Sequence, residues 1–133
     1  MGREAGLRLE LFVDDMEASI AFYTRVLAFD VVRHEPGDYA SLRLGDVFLG
    51  IGPMAKLPEE GGYFRRDIAT LRRGLGVEIV IEVEDVDGWR ERVADSGHPI
   101  LESLRERPWG LRDFRICDPD GYYLRITSQQ AGG

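Results

Sequence analysis

The chain has 133 residues, of which 44% are apolar and 31% charged, and its formal net charge is −7. That is the length of one ordinary domain with enough apolar material for a core, which excludes a disordered chain. The acidic balance argues against nucleic acid and anionic membrane surfaces as partners, and no apolar run is long enough to span a bilayer.

Residues 1–6, Met-Gly-Arg-Glu-Ala-Gly, contain no apolar signal region, and Gly2 is not followed by the Ser or Thr of a myristoylation signal. With a single cysteine, Cys117, there is no internal disulfide framework, and a cytoplasmic location is expected. Cys117 itself reads as a structural residue near a turn.

Leu7 to Val13 alternates strictly. Leu7, Leu9, Leu11 and Val13 share one face of the predicted strand, and Arg8, Glu10 and Phe12 share the other. Asp14 or Asp15 is placed to cap a helix striped by Ile20, Tyr23 and Leu27. Phe29 to Val32 predicts a second strand ending near His34, and Pro36-Gly37-Asp38 a turn. Tyr39–Leu44 and Val47–Ile51 form a hairpin around Gly45-Asp46. Residues 53–76, rich in Pro, Gly and charge, read as a surface connector or lid with a short helix near Ile68 and Leu71.

The same order then recurs. Val77, Ile79, Ile81 and Val83 form the apolar side of a strand, with Glu78, Val80 and Glu82 opposite. Val86, Trp89 and Val93 stripe a helix that stops at Gly97. Pro99–Leu104 is a strand, Pro108-Trp109-Gly110 a loop, and Asp113–Cys117 with Tyr122–Thr127 a hairpin turning at Asp118-Pro119-Asp120-Gly121. Val13, Asp15 and Met16 repeat as Val83, Asp85 and Val86 at an offset of 70 residues. The fold class is therefore α+β: one domain over residues 1–133, made of two tandem β-α-β-β-β modules (7–52 and 77–128, joined by 53–76) whose curved sheets enclose a central cavity. One helix covers one face of each sheet, so the other face must line a cavity or be buried by something else.

Val-Asp-Asp-Met-Glu-Ala-Ser-Ile-Ala-Phe-Tyr at 13–23 resembles the first-helix motif of the glyoxalase/bleomycin-resistance/extradiol-dioxygenase (vicinal oxygen chelate) superfamily. Asp118-Pro119-Asp120-Gly121 with Leu124-Arg125-Ile126 is similar to its last hairpin, and Pro108-Trp109-Gly110 with Asp113-Phe114-Arg115 to the stretch that bleomycin-resistance-like members carry before it. The resemblance implies paired modules, a homodimer, and a cavity that holds either a divalent metal with its substrate or a sequestered drug-like molecule.

It also implies where a metal would sit. The positions that carry ligands in metal-dependent members fall on Arg8, Glu78 and Arg125, with a fourth near Gly50. A guanidinium is a permanent cation with no acceptor, so Glu78 alone suits a metal, and the expectation is no metal and no cofactor. Arg8, Glu78 and Arg125 are expected to form a charged cluster instead. A displaced set of Glu10, Glu78 and Glu82 with His34 is the alternative. Otherwise His34 and His98 read as surface or turn residues.

Alternation assigns to the cavity side Arg8, Glu10, Phe12, Tyr39, Ser41, Arg43, Phe48, Gly50, Glu78, Val80, Glu82, Arg115, Tyr123, Arg125 and Thr127. Arg8, Glu10, Tyr39, Phe48, Glu78, Trp109, Tyr123 and Arg125 are the candidate ligand-binding residues, Trp109 as a loop aromatic that either stacks on a planar ligand or anchors its loop. The reading is a metal-independent small-molecule binder. Its alternatives are a lyase, isomerase or dioxygenase, in the metal-free case with Glu78 or Glu10 as general base, and a purely structural module.

Overall fold

The computed structural model describes residues 4–129, so the N-terminal reading that rests on Met1 to Arg3 lies partly outside it. The chain divides into two compact units. One holds the residues up to Thr24 together with Ala28–Leu71, and the other holds Arg25–Leu27 and the chain from Arg72 onward.

In the first unit, β1 (Leu9–Val13) leads to helix α1 (Met16–Ala21), which continues as a π-wound turn at Phe22–Val26, then to β2 (Asp30–Glu35), β3 (Tyr39–Leu44) and β4 (Val47–Pro53). The sheet order is β1-β4-β3-β2, with β1 parallel to β4 and the other pairs antiparallel. In the second unit, β5 (Ile79–Val83), α2 (Val86–Ser96), β6 (Glu102–Glu106), β7 (Arg112–Cys117) and β8 (Tyr123–Ser128) repeat that plan in the order β5-β8-β7-β6. The fold is thus α+β and duplicated, as the repeat predicts. No helix among the described residues is long and apolar enough to cross a membrane.

The helices start where the carboxylates put them. Asp15 caps α1 by accepting from the Ala18 amide at 3.1 Å, and Asp85 caps α2 by accepting from the Gly88 amide at 3.1 Å. Helix α1 lies against β4, and α2 against β8 and β7. The faces they cover carry the core: Leu11, Val13, Ala40, Leu42, Leu49 and Ile51 in one sheet, and Ile79, Ile81, Val83, Phe114, Ile116, Leu124 and Ile126 in the other, all buried. Ile20, Tyr23 and Leu27 are buried as their spacing requires.

Two expectations need correction. Leu7 and Val77 are 72% and 57% exposed, because both strands begin two residues later than their alternation suggests, at Leu9 and Ile79. The connector is not all surface. Met54 and Leu57 are buried beside the 3-10 turn Met54–Lys56, and a second 3-10 turn runs Arg66–Thr70.

Helix α2 ends at Gly97, whose φ of 82° lies in the left-handed region and whose amide donates to the Ala94 carbonyl at 3.1 Å. A Cβ there meets no neighbour but strains the backbone. Gly97→Ala is expected to lower the free energy of unfolding by about 1 kcal/mol, read from the urea midpoint.

Candidate functional site

Each sheet has one face turned from its helix, and each of those faces holds a groove. In the first unit a groove of about 360 Å³ is lined by Arg8, Glu10, Val32, Arg33, Tyr39 and Ser41. In the second unit a groove of about 440 Å³ is lined by Val80, Glu82, Trp109, Leu111, Arg125 and Thr127. Register makes them counterparts: Gly50 pairs with Glu10 and Ser41, as Arg125 pairs with Val80 and Arg115.

The chemistry of the two grooves differs. In the first, Glu10 takes a hydrogen bond from the Tyr39 hydroxyl at 2.9 Å and an ion pair from Arg8 Nε at 2.8 Å. This group lies over Gly50, where a Cβ would collide with the Glu10 carboxylate and the Tyr39 hydroxyl. Partial burial, and then the hydrogen bond to Glu10, push the Tyr39 phenol above its ordinary value. The Arg33 guanidinium stands 5.3 Å from the Tyr39 ring centre. Phe48 is not part of this groove; Arg43 lies 5.8 Å from its ring, towards the hairpin end.

In the second unit the same face carries an ion-pair network. Arg125 Nη2 is 3.0 Å from Glu78 Oε1, and Arg115 Nη1 is 3.8 Å from Glu78 Oε2. Asp113 has no exposed surface, and its carboxylate meets Arg107 at 2.8 Å, Arg115 at 3.3 Å and Arg125 at 4.0 Å. Glu102 holds Arg107 at 3.2 Å and accepts from the Tyr123 hydroxyl at 3.3 Å, which in turn accepts from Arg115 at 3.4 Å. Hydrogen bonds to Tyr123 and Asp113 raise the Arg115 pKa further, so this guanidinium keeps its proton at every accessible pH. Trp109 stands on its loop, 54% exposed, with the Arg125 guanidinium 5.8 Å from the ring centre.

The charges bear on stability. The hydrogen bond from Arg107 holds Glu102 below the ordinary carboxylate range, as Arg112 does for Asp87 and Lys56 for Asp38. A carboxylate held low in the fold stabilises above its unfolded value and loses that contribution as pH falls through the folded one. Tyr39 has the opposite sign: a raised phenol stabilises below its unfolded value and loses the contribution as pH rises through the folded one. Urea midpoints are therefore expected to fall below about pH 4 and again above about pH 10, and a flat profile across either range would contradict these pairings.

Residues 7–126 match the sequence profile of the Glyoxalase/Bleomycin resistance protein/Dioxygenase superfamily. The chain belongs to this superfamily. The bleomycin resistance protein of Geobacillus stearothermophilus is 30% identical over 125 residues, covering 88% of this chain and 91% of that one, and a bleomycin resistance protein of Staphylococcus aureus matches to the same extent. The fold is shared with a glyoxalase/bleomycin resistance protein/dioxygenase from Nocardioides (TM-score 0.77, 24% identity, 100% of this chain and 88% of that one). It is shared too with TioX from Micromonospora sp. ML1 (TM-score 0.75, 21% identity, 95% and 99% of the two chains).

The positions that the resemblance assigns to metal ligands hold Arg8, Glu78, Arg125 and Gly50. Arg8 and Arg125 are cations, Gly50 has no side chain and no room for one, and Glu78 is engaged by Arg125. Of the expected trio, Glu78 and Arg125 pair within the second unit, while Arg8, just before β1, takes Glu10 of that strand. The displaced set fares no better within either unit. His34 lies 3.4 Å from Glu17, Glu10 is held by Arg8 and Tyr39, and no three His, Cys, Asp or Glu side chains among the described residues are grouped to hold a metal. His98 meets the Cys117 carbonyl through Nε2 at 2.6 Å, a turn role. The candidate general base Glu78 thus has Oε1 in the pair with Arg125 and Oε2 3.8 Å from Arg115.

Asp113, Arg107 and Glu102 are the residues that reading the sequence for a site missed. Alternation carried the signal for Asp113, which lies two residues before Arg115 on one strand and so shares its face. Arg107 lies on no strand, and its burial is visible only in the fold.

Proposed function

We propose that this chain is a metal-independent binding protein for a planar drug-like or metabolite molecule, of the bleomycin-resistance type, acting as a homodimer in the cytoplasm. The observation that supports the reading is the guanidinium–carboxylate pairing at the positions where the superfamily resemblance implies metal donors, on faces that keep open, aromatic-lined grooves. A fixed charge network bordered by Tyr39 or Trp109 suits recognition of a flat, polar molecule better than Lewis-acid chemistry. The naming of the curated relatives as bleomycin resistance proteins supports the same class of ligand.

The test is a thermal-shift and calorimetry panel of bleomycin together with planar cations, anions and neutral heterocycles. At least one planar compound is expected to raise the melting temperature and bind saturably. A panel with no shift would count heavily against the reading. Equilibration with Mn, Fe, Zn or Ni is expected to leave no stoichiometric tight site, and a tight site lost in Glu78→Gln would replace binder by metalloenzyme. Sedimentation equilibrium tests the dimer.

A further inference from the structure

Trp109 rides on a short hairpin loop between β6 and β7. The Gly110 amide donates to the Arg107 carbonyl at 2.9 Å, and the Arg107 amide donates to the Leu111 carbonyl at 2.7 Å. Pro108 pre-sets the turn, and Gly110, at φ 89°, supplies the left-handed residue that follows it. These backbone bonds close the loop on itself. They continue the β6–β7 pairing that ends at Glu106 and Arg112, and a side chain reaching down from the loop adds a second restraint on its tilt over the sheet.

Arg107 is that side chain. It is 8% exposed, and both its Nε and its Nη2 lie 2.8 Å from Oδ1 of the wholly buried Asp113, with Nη2 also 3.2 Å from Glu102. The other Asp113 oxygen lies 4.0 Å from Arg125 Nη1, and Arg125 is the residue beside the indole. One buried carboxylate thus ties the first residue of the loop to the arginine under the tryptophan. A buried ion pair of this kind is an inefficient source of stability but a good source of fixed geometry.

We propose that the Arg107–Asp113 pair is a positioning element for Trp109: it sets the height and tilt of the indole against Arg125 and so leaves one ring face open to a planar group. The ligand half rests on the binding function proposed above. The indole half stands without it.

The experiment uses the full chain with Trp89→Phe, so that Trp109 is the sole indole. Arg107→Met is expected to shift the indole N–H resonance, flatten the near-ultraviolet dichroism and raise acrylamide quenching while far-ultraviolet dichroism stays native. Glu102→Gln, which neutralises the second partner of Arg107 and leaves Asp113 in place, is expected to move the same signals less. Arg107→Lys, which keeps the charge without the two-nitrogen contact, should fall between wild type and Arg107→Met. Lys56→Met, which breaks the pair with Asp38 in the other unit, should move none of them. A folded Arg107→Met with an unchanged indole overturns the proposal, as does an equal shift in Lys56→Met. Should Arg107→Met not fold, an unchanged indole in Arg107→Lys overturns it. The same proteins are titrated with thioflavin T and with anilinonaphthalene sulfonate. Weaker binding in step with the indole shift supports the ligand half. Absence of binding to wild type removes the ligand half and leaves the indole result to decide the positioning.

Discussion

Asp113→Asn is expected to lower the free energy of unfolding by about 3 kcal/mol, the lower end of the cost of removing one member of a buried ion pair. The carboxylate has no exposed surface and lies within ion-pair distance of Arg107, Arg115 and Arg125. Its neutralisation leaves Arg107, which is itself buried, to depend on Glu102 alone. The loss stays at the lower end because Glu78 still holds Arg125 and Arg115, and Tyr123 still accepts from Arg115. The measurement is the urea midpoint at neutral pH with an unchanged slope, so that the change is one of stability and not of compactness. Arg107→Met combined with Asp113→Leu should lose less than Asp113→Asn alone, since removing both charges leaves none unpaired. A loss below 1 kcal/mol for Asp113→Asn would mean that solvent screens the network far more than its burial implies.

The fold was largely legible because its signals are local. Strict alternation in Leu9–Val13 and Ile79–Val83, capping carboxylates at Asp15 and Asp85, and Gly97 after the last helical turn each act within a few residues. Alternation overran at Leu7 and Val77 because a period of two says which face a residue takes but not where pairing to β4 or β8 begins. The groove residues Arg8, Glu10, Tyr39 and Arg125 follow from the same alternation. What they touch does not. That Gly50 must lack a side chain, because Glu10 and Tyr39 meet above it, depends on a parallel pairing between strands distant in sequence. The stacking of Phe64 in the connector on Phe12 of β1, with ring centres 4.9 Å apart, is equally non-local.

The duplication separates two kinds of constraint. On the helix-covered faces the two units keep the same chemistry, aliphatic and aromatic, because both must exclude water. On the opposite faces, equivalent register positions have diverged in charge: Glu10 against Val80, Gly50 against Arg125, Ser41 against Arg115, Tyr39 against Asp113. The first unit concentrates one carboxylate, one phenol and flanking arginines. The second builds a nearly balanced network under an exposed indole. Apolar residues of the same volume would fold at least as well in place of the fully buried carboxylate among arginines, so hydrophobic stability alone does not account for it.

Trp109→Ala is expected to weaken binding of any planar compound found in the panel by about 30-fold, equivalent to roughly 2 kcal/mol, the cost of truncating an aromatic hot spot. The indole is more than half exposed, so its loss should change the free energy of unfolding by no more than about 1 kcal/mol. That contrast separates a ligand contact from a loop anchor, the two roles the sequence leaves open. An anchor would lose stability and keep affinity. Trp109→Phe should retain part of the affinity, because a smaller ring still stacks. Arg125→Met should reduce it through two routes, by removing the cation beside the indole and by freeing Glu78 from its closest partner. Calorimetric titration of the three variants against wild type measures all of this. Unchanged affinity in Trp109→Ala would move the site away from the second groove, to the Arg8–Glu10–Tyr39 face of the first unit, where Tyr39→Ala becomes the deciding variant.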